Sequence, residues 1–378
     1  MANQKAAAVA HNATKVPGVV LKFDPPGPKF PISEQAVMPV IKATAMLVNF
    51  TPPMNQTVRF DWNASLVFTG KGCPHFRKSP YSLALDIKAS STLNFTEAVL
   101  SLFFPEVLQP ELWSNLTNDF TIPFTNVRGG QLTVSVTVTA GSTILKAKRE
   151  GLLVVGTNPL KGSLTKELIL ADLQIANVMM KVMQHESGLK QFLTIGANTT
   201  SEHPLYSHDG YGGVGLCQIT YPQPKADEIW SWKANLKAGV GVFHEKQDIA
   251  RAYPQEVRSS SRFHQLVQKY NEVRKKNKLN PLNITLPDFT PEQVLIDAIR
   301  GYNGWIGGHH EYCLQVDAMD MLVVVVNENN ISGVAQWERI TPAMRSSWGM
   351  SDYVDGVLKE TGIGVVGMVV GLIEDYGL

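Results

Sequence analysis

The hydrophobic period of this chain changes once, and that change limits what it can fold into. Before about residue 155, apolar residues recur at every second position. Val58, Phe60, Trp62 and Ala64 alternate with Arg, Asp and Asn within 57–68, ahead of the Gly70-Lys71-Gly72 turn. Tyr81, Leu83, Leu85 and Ile87 repeat the pattern over 81–87. Leu132, Val134, Val136 and Val138 repeat it over 131–139, where Gly141-Ser142 turns the chain into 143–148. Period two puts alternate side chains on one face of a sheet, and Pro/Gly loops between runs favour antiparallel neighbours. The expected fold class is therefore α+β multidomain, with a flexible arm over 1–16 and an N-terminal antiparallel β-sandwich over 17–156. No catalytic cluster stands out there, so docking, spacing or binding is its expected work.

The turn chemistry of Gly156-Thr157-Asn158-Pro159 closes the last strand, and helical spacing follows. Ser163 or Thr165 is the candidate cap of the first helix, with Glu167 in its first turn. Residues 227–243 read as a helix broken at its glycines, and 260–277 as a basic amphipathic helix. Another helix spans 291–302, introduced by Thr290-Pro291-Glu292. The run from Met321 to Val326 is short and β-branched and reads as a buried strand, with a second strand over 334–337. An α-rich domain over 157–314 is expected, with a C-terminal extension over 315–378 packed on it.

The 378 residues give room for two or three domains, and 44% hydrophobic content with 18% charge allows a sizeable core. A net charge of +1 supplies no field toward nucleic acid or anionic lipid. Cys73, Cys217 and Cys313 are odd in number and far apart, without metal spacing, and read as reduced thiols, mostly buried. The first residues carry lysines but no long apolar stretch, so no signal peptide is expected. The nearest approach to a membrane span, 362–373, falls short of the ~18–20 apolar residues required and reads as a packed terminal segment. Asn-x-Ser/Thr triplets at Asn55, Asn63, Asn94, Asn115, Asn198 and Asn283 read as polar, β-rich composition.

Chemistry enters at Glu186. Ile175, Met179, Val182 and Glu186 follow i, i+4, i+7, i+11 spacing and share one helical stripe. A carboxyl that continues an apolar face is desolvated, which raises its pKa and keeps it protonated near neutrality. A general acid for a glycosidic oxygen needs that property. Gly188 follows as the helix end. In Gly212-Gly213-Val214-Gly215-Leu216-Cys217-Gln218, the glycines let backbone approach a ligand closely. Gln218 brings both a donor and an acceptor, suited to sugar hydroxyls and N-acetyl groups. Tyr302 and Asn303 follow an apolar helix and precede Gly304, where Tyr302 can hold the acid's carboxylate or the substrate. Each feature alone also fits ordinary structure: a solvated helix-end glutamate, a glycine turn, a core tyrosine.

Four motifs occur in order: Glu186-Ser187 after a helix, Gly213-x-Gly215-Leu216-x-Gln218, Asn235 with Gly239, and Tyr302-Asn303-Gly304. This pattern resembles the lysozyme-like superfamily of lytic transglycosylases and goose-type lysozymes, over about residues 164–305. The resemblance implies an α-rich lysozyme-like catalytic domain over 157–314, with Glu186 as single general acid and then base. It also implies that Ser187 and Gln218 line a glycan cleft, and that Asn235 sits in its wall or supports the fold. Tyr302 would orient the glutamate or the muramyl N-acetyl group, with Asn303 beside it in the substrate-binding set. The chain departs from the pattern at Cys217, where Met is common, in the basic insert 251–288, and in the extension after Trp305.

A second carboxylate would decide the mechanism, since retaining pairs stand ~5–5.5 Å apart and inverting pairs ~6.5–9.5 Å. Asp209, in the His208-Asp209-Gly210 turn, is the candidate for positioning water. Without it the substrate's own N-acetyl group serves and the C6 hydroxyl closes an anhydro ring, which is the preferred version. His309-His310-Glu311 do not share a helix face and lack a third ligand, so no metal or other cofactor is expected. His185 points off the stripe to solvent, and Arg274-Lys275-Lys276-Asn277-Lys278 form a solvated face. The resulting expectation is a peptidoglycan lytic transglycosylase or muramidase acting on the MurNAc–GlcNAc β-1,4 bond. Its partners would be glycan strands and, with delivery by a phage tail or lysis system or a type VI-like secretion system, an immunity protein or a tail or spike protein. It would be made in the cytoplasm and act in the periplasm or wall, with no nucleic-acid partner and no stable membrane span. A muramidase using Asp209 and a non-catalytic glycan-binding module are the alternatives.

Overall fold

The computed structural model describes residues 16–50, 58–68, 118–193, 203–207, 212–222, 224–303, 310–341 and 352–359. The expected strand over 81–87, Cys73, His208, Asp209, Gly210, Gly304, Trp305, His309, the segment 362–373 and Asn55, Asn94, Asn115 and Asn198 lie outside them. In chain order the elements begin with β1 Gly18–Asp24, β2 Lys29–Pro31, β3 Lys42–Val48, β4 Val58–Val67, β5 Asp119–Thr121, β6 Gly130–Ala140 and β7 Thr143–Val155. They continue with α1 Lys161–Asp172, α2 Ala176–Ser187, β8 Phe192–Leu193, β9 His203–Pro204, α3 Ala226–Trp230, α4 Trp232–Ser259 and α5 Ser261–Lys276. The last are β10 Asn283–Thr285, α6 Pro291–Asn303, β11 Tyr312–Leu314, β12 Val324–Val326, β13 Ser332–Ala335, β14 Trp337–Arg339 and α7 Tyr353–Lys359. The chain is thus a mixture of helix and strand. It divides into two compact units. The first comprises Met1–Asn158, Gln191–Tyr211 and Tyr221–Ser231; the second comprises Pro159–Lys190, Gly212–Thr220 and Trp232–Leu378. Among the described residues no helix is long and apolar enough to cross a membrane.

In the first unit a three-stranded sheet has the order β1-β3-β5 and a four-stranded sheet the order β2-β7-β6-β4. Alternation builds the core. Phe60, Trp62, Ala64 and Leu66 of β4 are buried, as are Leu132, Val134, Val136 and Val138 of β6. The antiparallel register sets Trp62 opposite Val136 and Ala64 opposite Val134. Trp62 stacks on Phe120 of β5 at 5.4 Å, so the buried faces of the two sheets touch. One pairing departs from the antiparallel expectation: β2 runs parallel to β7. The two strands are far apart in sequence, so no hairpin dictates their relative sense. Trp230 extends this core, edge-on to Phe68 at 5.1 Å and 5.9 Å from Phe192. Beside it the buried Gln191 amide donates to the carbonyls of Glu228 and Ile229.

The second unit is mainly helical. α4 packs on α6, α1 on α2, and α7 on both α2 and α6. Leu236, Val240 and Phe243 of α4 are buried, as are Val294, Ala298 and Ile299 of α6. A further apolar cluster joins Phe263 and Leu266 of α5 to Leu282, Ile284, Leu286, Leu322 and Ala335. Its sheet has the order β10-β13-β12. Two helix starts are capped, and the one at Thr290 matches its sequence signal. Ser260 Oγ accepts from the Phe263 N–H, and Thr290 and Gln293 exchange reciprocal bonds at the start of α6.

Several local expectations are corrected. α1 begins at Lys161 with Leu160 at its N-cap, which places Ser163 and Thr165 inside the helix and Glu167 beyond the first turn. Thr165 Oγ1 donates to the Lys161 carbonyl instead of capping. The helical break in 227–243 falls at Ser231, and α4 runs straight through Gly239 and Gly241. Of the run 321–326, only 324–326 is strand; Met321 and Leu322 are buried while Val325, on an edge strand, is 59% exposed. Gln336 separates β13 from β14 because the chain changes partner there, from β12 to β11. Arg274 is tucked in, with Nε on the Asn280 carbonyl and Nη2 on Asn330 Oδ1, so the basic run is solvated only in part.

The two glycines of α4 differ in what surrounds them. A Cβ at Gly239 would sit 2.3 Å from Cys217 Sγ and 2.6 Å from its Cβ, whereas a Cβ at Gly241 meets nothing within 4 Å. Gly239→Ala is therefore expected to destabilise by about 1–3 kcal/mol through overpacking. Gly241→Ala should stabilise by about 0.5–1 kcal/mol through helix propensity. Urea denaturation of the two variants checks the opposite signs.

Candidate functional site

α2 carries the candidate acid. Met179 and Val182 are fully buried and Ile175 nearly so, which fixes the face on which Glu186 continues. Gly188 ends the helix in the left-handed region at φ 61°, leaving Glu186 half-buried in the last turn. The C-terminus of a helix is electrostatically unfavourable for a carboxylate. Glu186 therefore depends on donors from elsewhere. One is Tyr353, the first residue of α7, whose hydroxyl donates to Glu186 Oε1 at 2.6 Å. Burial first, then the neighbouring Glu186 charge, holds the Tyr353 hydroxyl well above the ordinary phenol range, so it stays protonated and able to donate.

Tyr353 was not singled out by the sequence. Its only local signal is the short apolar pattern Tyr353, Val354 and Val357, all buried, which marks a helix face but not a partner. The same helix corrects the expectation for His185. The residue is half-buried, its ring meets Tyr353 edge-on at 4.9 Å, and a Cβ at Gly356 would lie 2.8 Å from its Cε1.

The glycine-rich segment forms a tight hairpin turn. Val214 and Ile219 exchange two backbone bonds of 3.1 Å, and the turn between them contains Gly215 at φ 73° and Gln218 at φ 46°. Gln218 Nε2 donates to the Gly215 carbonyl at 2.7 Å. The space a Cβ would need at Gly213 is taken by the Gln218 carbonyl and Oε1, at 3.0 and 3.1 Å. That glycine makes room for Gln218, where the sequence suggested room for a ligand. Asn235, fully buried on α4, clamps the turn: its Oδ1 accepts from the Cys217 N–H and its Nδ2 donates to the Val214 carbonyl, both at 3.0 Å. Tyr302 donates to the Cys217 carbonyl at 2.9 Å. The tyrosine on the glutamate is thus Tyr353, and Tyr302 holds the turn.

These groups lie within one electrostatic neighbourhood. Burial pushes the Cys217 thiol up to about 12, with the Glu186 charge adding to the rise. Tyr302 is raised well above its ordinary value by burial, then by Cys217 and Glu186. Ser187 Oγ donates back to the Met183 carbonyl at 2.9 Å, and Asn303 is the half-buried last residue of α6. Chemically, the arrangement offers one carboxyl group, oriented by a neutral phenol and flanked by a second phenol and a neutral thiol. Asp209 lies outside the described residues.

His310 and Glu311 bond to neighbouring side chains. His310 Nδ1 lies 2.7 Å from Asp297 Oδ2 and its ring stacks on Tyr253 at 3.4 Å. Glu311 accepts from Arg339 Nε at 2.9 Å. Among the described residues no group of three or more His, Cys, Asp or Glu gathers to hold a metal ion.

Two measurements test the clamp. Asn235→Ala leaves the Cys217 N–H without its buried partner and removes one of two donors to the Val214 carbonyl, and is expected to cost about 1–3 kcal/mol in urea denaturation. The thiol's pKa of about 12 in the folded state, against an ordinary 9.0, means the folded state holds that proton more tightly. Its contribution to stability is fully present below pH 9 and is lost as pH rises toward 12. The urea midpoint should therefore fall above pH 9, and Cys217→Ala should make that fall shallower. Comparison of the chain with family models and with curated proteins finds no match.

Proposed function

We propose that the second unit is a lysozyme-like domain that cleaves the MurNAc–GlcNAc β-1,4 bond of peptidoglycan. In this reading the two sheets of the first unit form a β-sandwich used for docking or binding. The observation that carries the proposal is the convergence on Glu186. A helix-end glutamate continues a buried apolar stripe, accepts a hydroxyl from the buried Tyr353, and shares its surroundings with the Cys217 turn and Tyr302. The order of the motifs along the chain supports the same reading.

The chemistry needs one proton donor that becomes an acceptor. Protonated Glu186 gives its proton to the glycosidic oxygen as the bond to the muramyl C1 breaks, and the substrate's N-acetyl oxygen stabilises the developing positive charge. The carboxylate then takes the proton of the C6 hydroxyl as that oxygen closes on C1, giving an anhydro end and restoring the acid. The Tyr353 hydroxyl fixes the carboxyl's orientation in advance, so little reorganisation is needed during reaction. Gln218, Ser187 and Asn303 would contact the glycan. Delivery to the wall by a phage tail or lysis system, or by secretion with an immunity partner, completes the proposal.

Incubation of the purified protein with sacculi tests it. The wild type should release muropeptides, and Glu186→Gln should reduce the rate by at least about 100-fold, the scale of general acid–base catalysis. Equal release by the two proteins would remove the enzymatic reading. Mass spectrometry then assigns the reaction: anhydro ends for the non-hydrolytic route, water-added ends for a muramidase.

A further inference from the structure

We propose that Arg339 and Asp355 are positioning residues for Glu186, acting through Tyr353, so that an ionic latch on α7 sets the orientation of the acid. The inference rests on the proposed role of Glu186. α7 carries both ends of the argument. Tyr353 donates to Glu186 Oε1 at 2.6 Å, and two residues later Asp355 Oδ1 accepts from Arg339 Nη2 at 2.8 Å. The same guanidinium gives its Nε to Glu311 Oε1 at 2.9 Å, and Glu311 is fully buried.

Arg339 is itself anchored. It lies in β14 opposite Tyr312 of β11, and the following Ile340 N–H donates to the Glu311 carbonyl at 2.8 Å. A planar fork on a hydrogen-bonded ribbon spans two carboxylates, a geometry with strong directional preference. The apolar contacts of α7 are not directional. Val354 and Val357 are buried, but apolar packing constrains a helix's rotation weakly. A helix this short does not stabilise itself. Residues two apart on a helix project about 200° from each other. Tyr353 and Asp355 therefore grip α7 from different sides, and together they fix its rotation about its own axis. Arg339 and Asp355 side chains are 38% and 30% exposed, so the pair adds little to global stability, and its effect belongs in orientation.

Asp355→Asn removes the charge and keeps the shape at a partly exposed position. It should lower kcat on sacculi about tenfold with KM within about twofold, the pattern of a misoriented reacting group. Added to Tyr353→Phe it should cause no further loss, because both act along one path. Arg339→Lys should fall in the same direction, since an ammonium does not reproduce the fork. Wild-type kcat in Asp355→Asn, a change in KM alone, or independent losses in the double variant would overturn the latch. Glu186→Gln is the control: inactive Glu186→Gln with fully active Asp355→Asn sinks the latch alone, while active Glu186→Gln sinks the proposed function. In that second case the latch is read from hydrogen exchange. Asp355→Asn must speed exchange of the amides of 354–359 by at least about tenfold, and unchanged exchange overturns the latch.

Discussion

The second unit's site depends on one buried side-chain amide. The turn between Val214 and Ile219 closes on itself through those two residues but hands its buried Cys217 N–H to a partner outside it. Asn235 supplies both an acceptor and a donor in one rigid plane, bonding the Cys217 N–H and the Val214 carbonyl. With the N–H engaged, the Cys217 carbonyl is oriented toward Tyr302. With Cys217 fixed, its side chain presses on α4 at Gly239, where the helix has no Cβ. A neutral amide is well suited to this task, because in a low-dielectric interior a charged residue would need compensation that the neighbouring phenol and thiol do not provide.

Three of the groups around Glu186 are neutral. Cys217, Tyr302 and Tyr353 all hold their protons more tightly than they do in water, each chiefly because it is buried. Their hydrogen-bond directions stay constant through the neutral pH range. Under the proposed reading, the Glu186 carboxyl changes charge without disturbing these three donors, as an acid that becomes a base requires.

Much of the scaffold was legible in the sequence, for reasons that can be named. The period-two pattern of Leu132, Val134, Val136 and Val138 survives because a sheet face buries alternate residues regardless of context. The stripe of Ile175, Met179 and Val182 reads correctly for the equivalent helical reason. Thr290 was legible because capping is local. What was not legible is tertiary. Gly239 suggested a break by propensity, but close approach of Cys217 explains it. The valines of 324–326 suggested a buried strand, yet Val325 lies on an edge with one face open. Nothing near Tyr353 in sequence announces a partner in α2, and His185 was assigned to water for lack of that helix.

The bond from Tyr353 to Glu186 joins residues 167 positions apart, and that from Tyr302 to Cys217 joins residues 85 apart. Such long closures are late and slow events in folding, since the loop entropy must be overcome first. On a ribosome the helix carrying Glu186, the turn with its amide clamp, and α6 can all be in place before residue 353 has been made. The hydroxyl that orients the carboxyl therefore arrives last. A chain interrupted before that point would hold its glutamate without the Tyr353 hydroxyl, so synthesis through residue 353 is built into the assembly of the site.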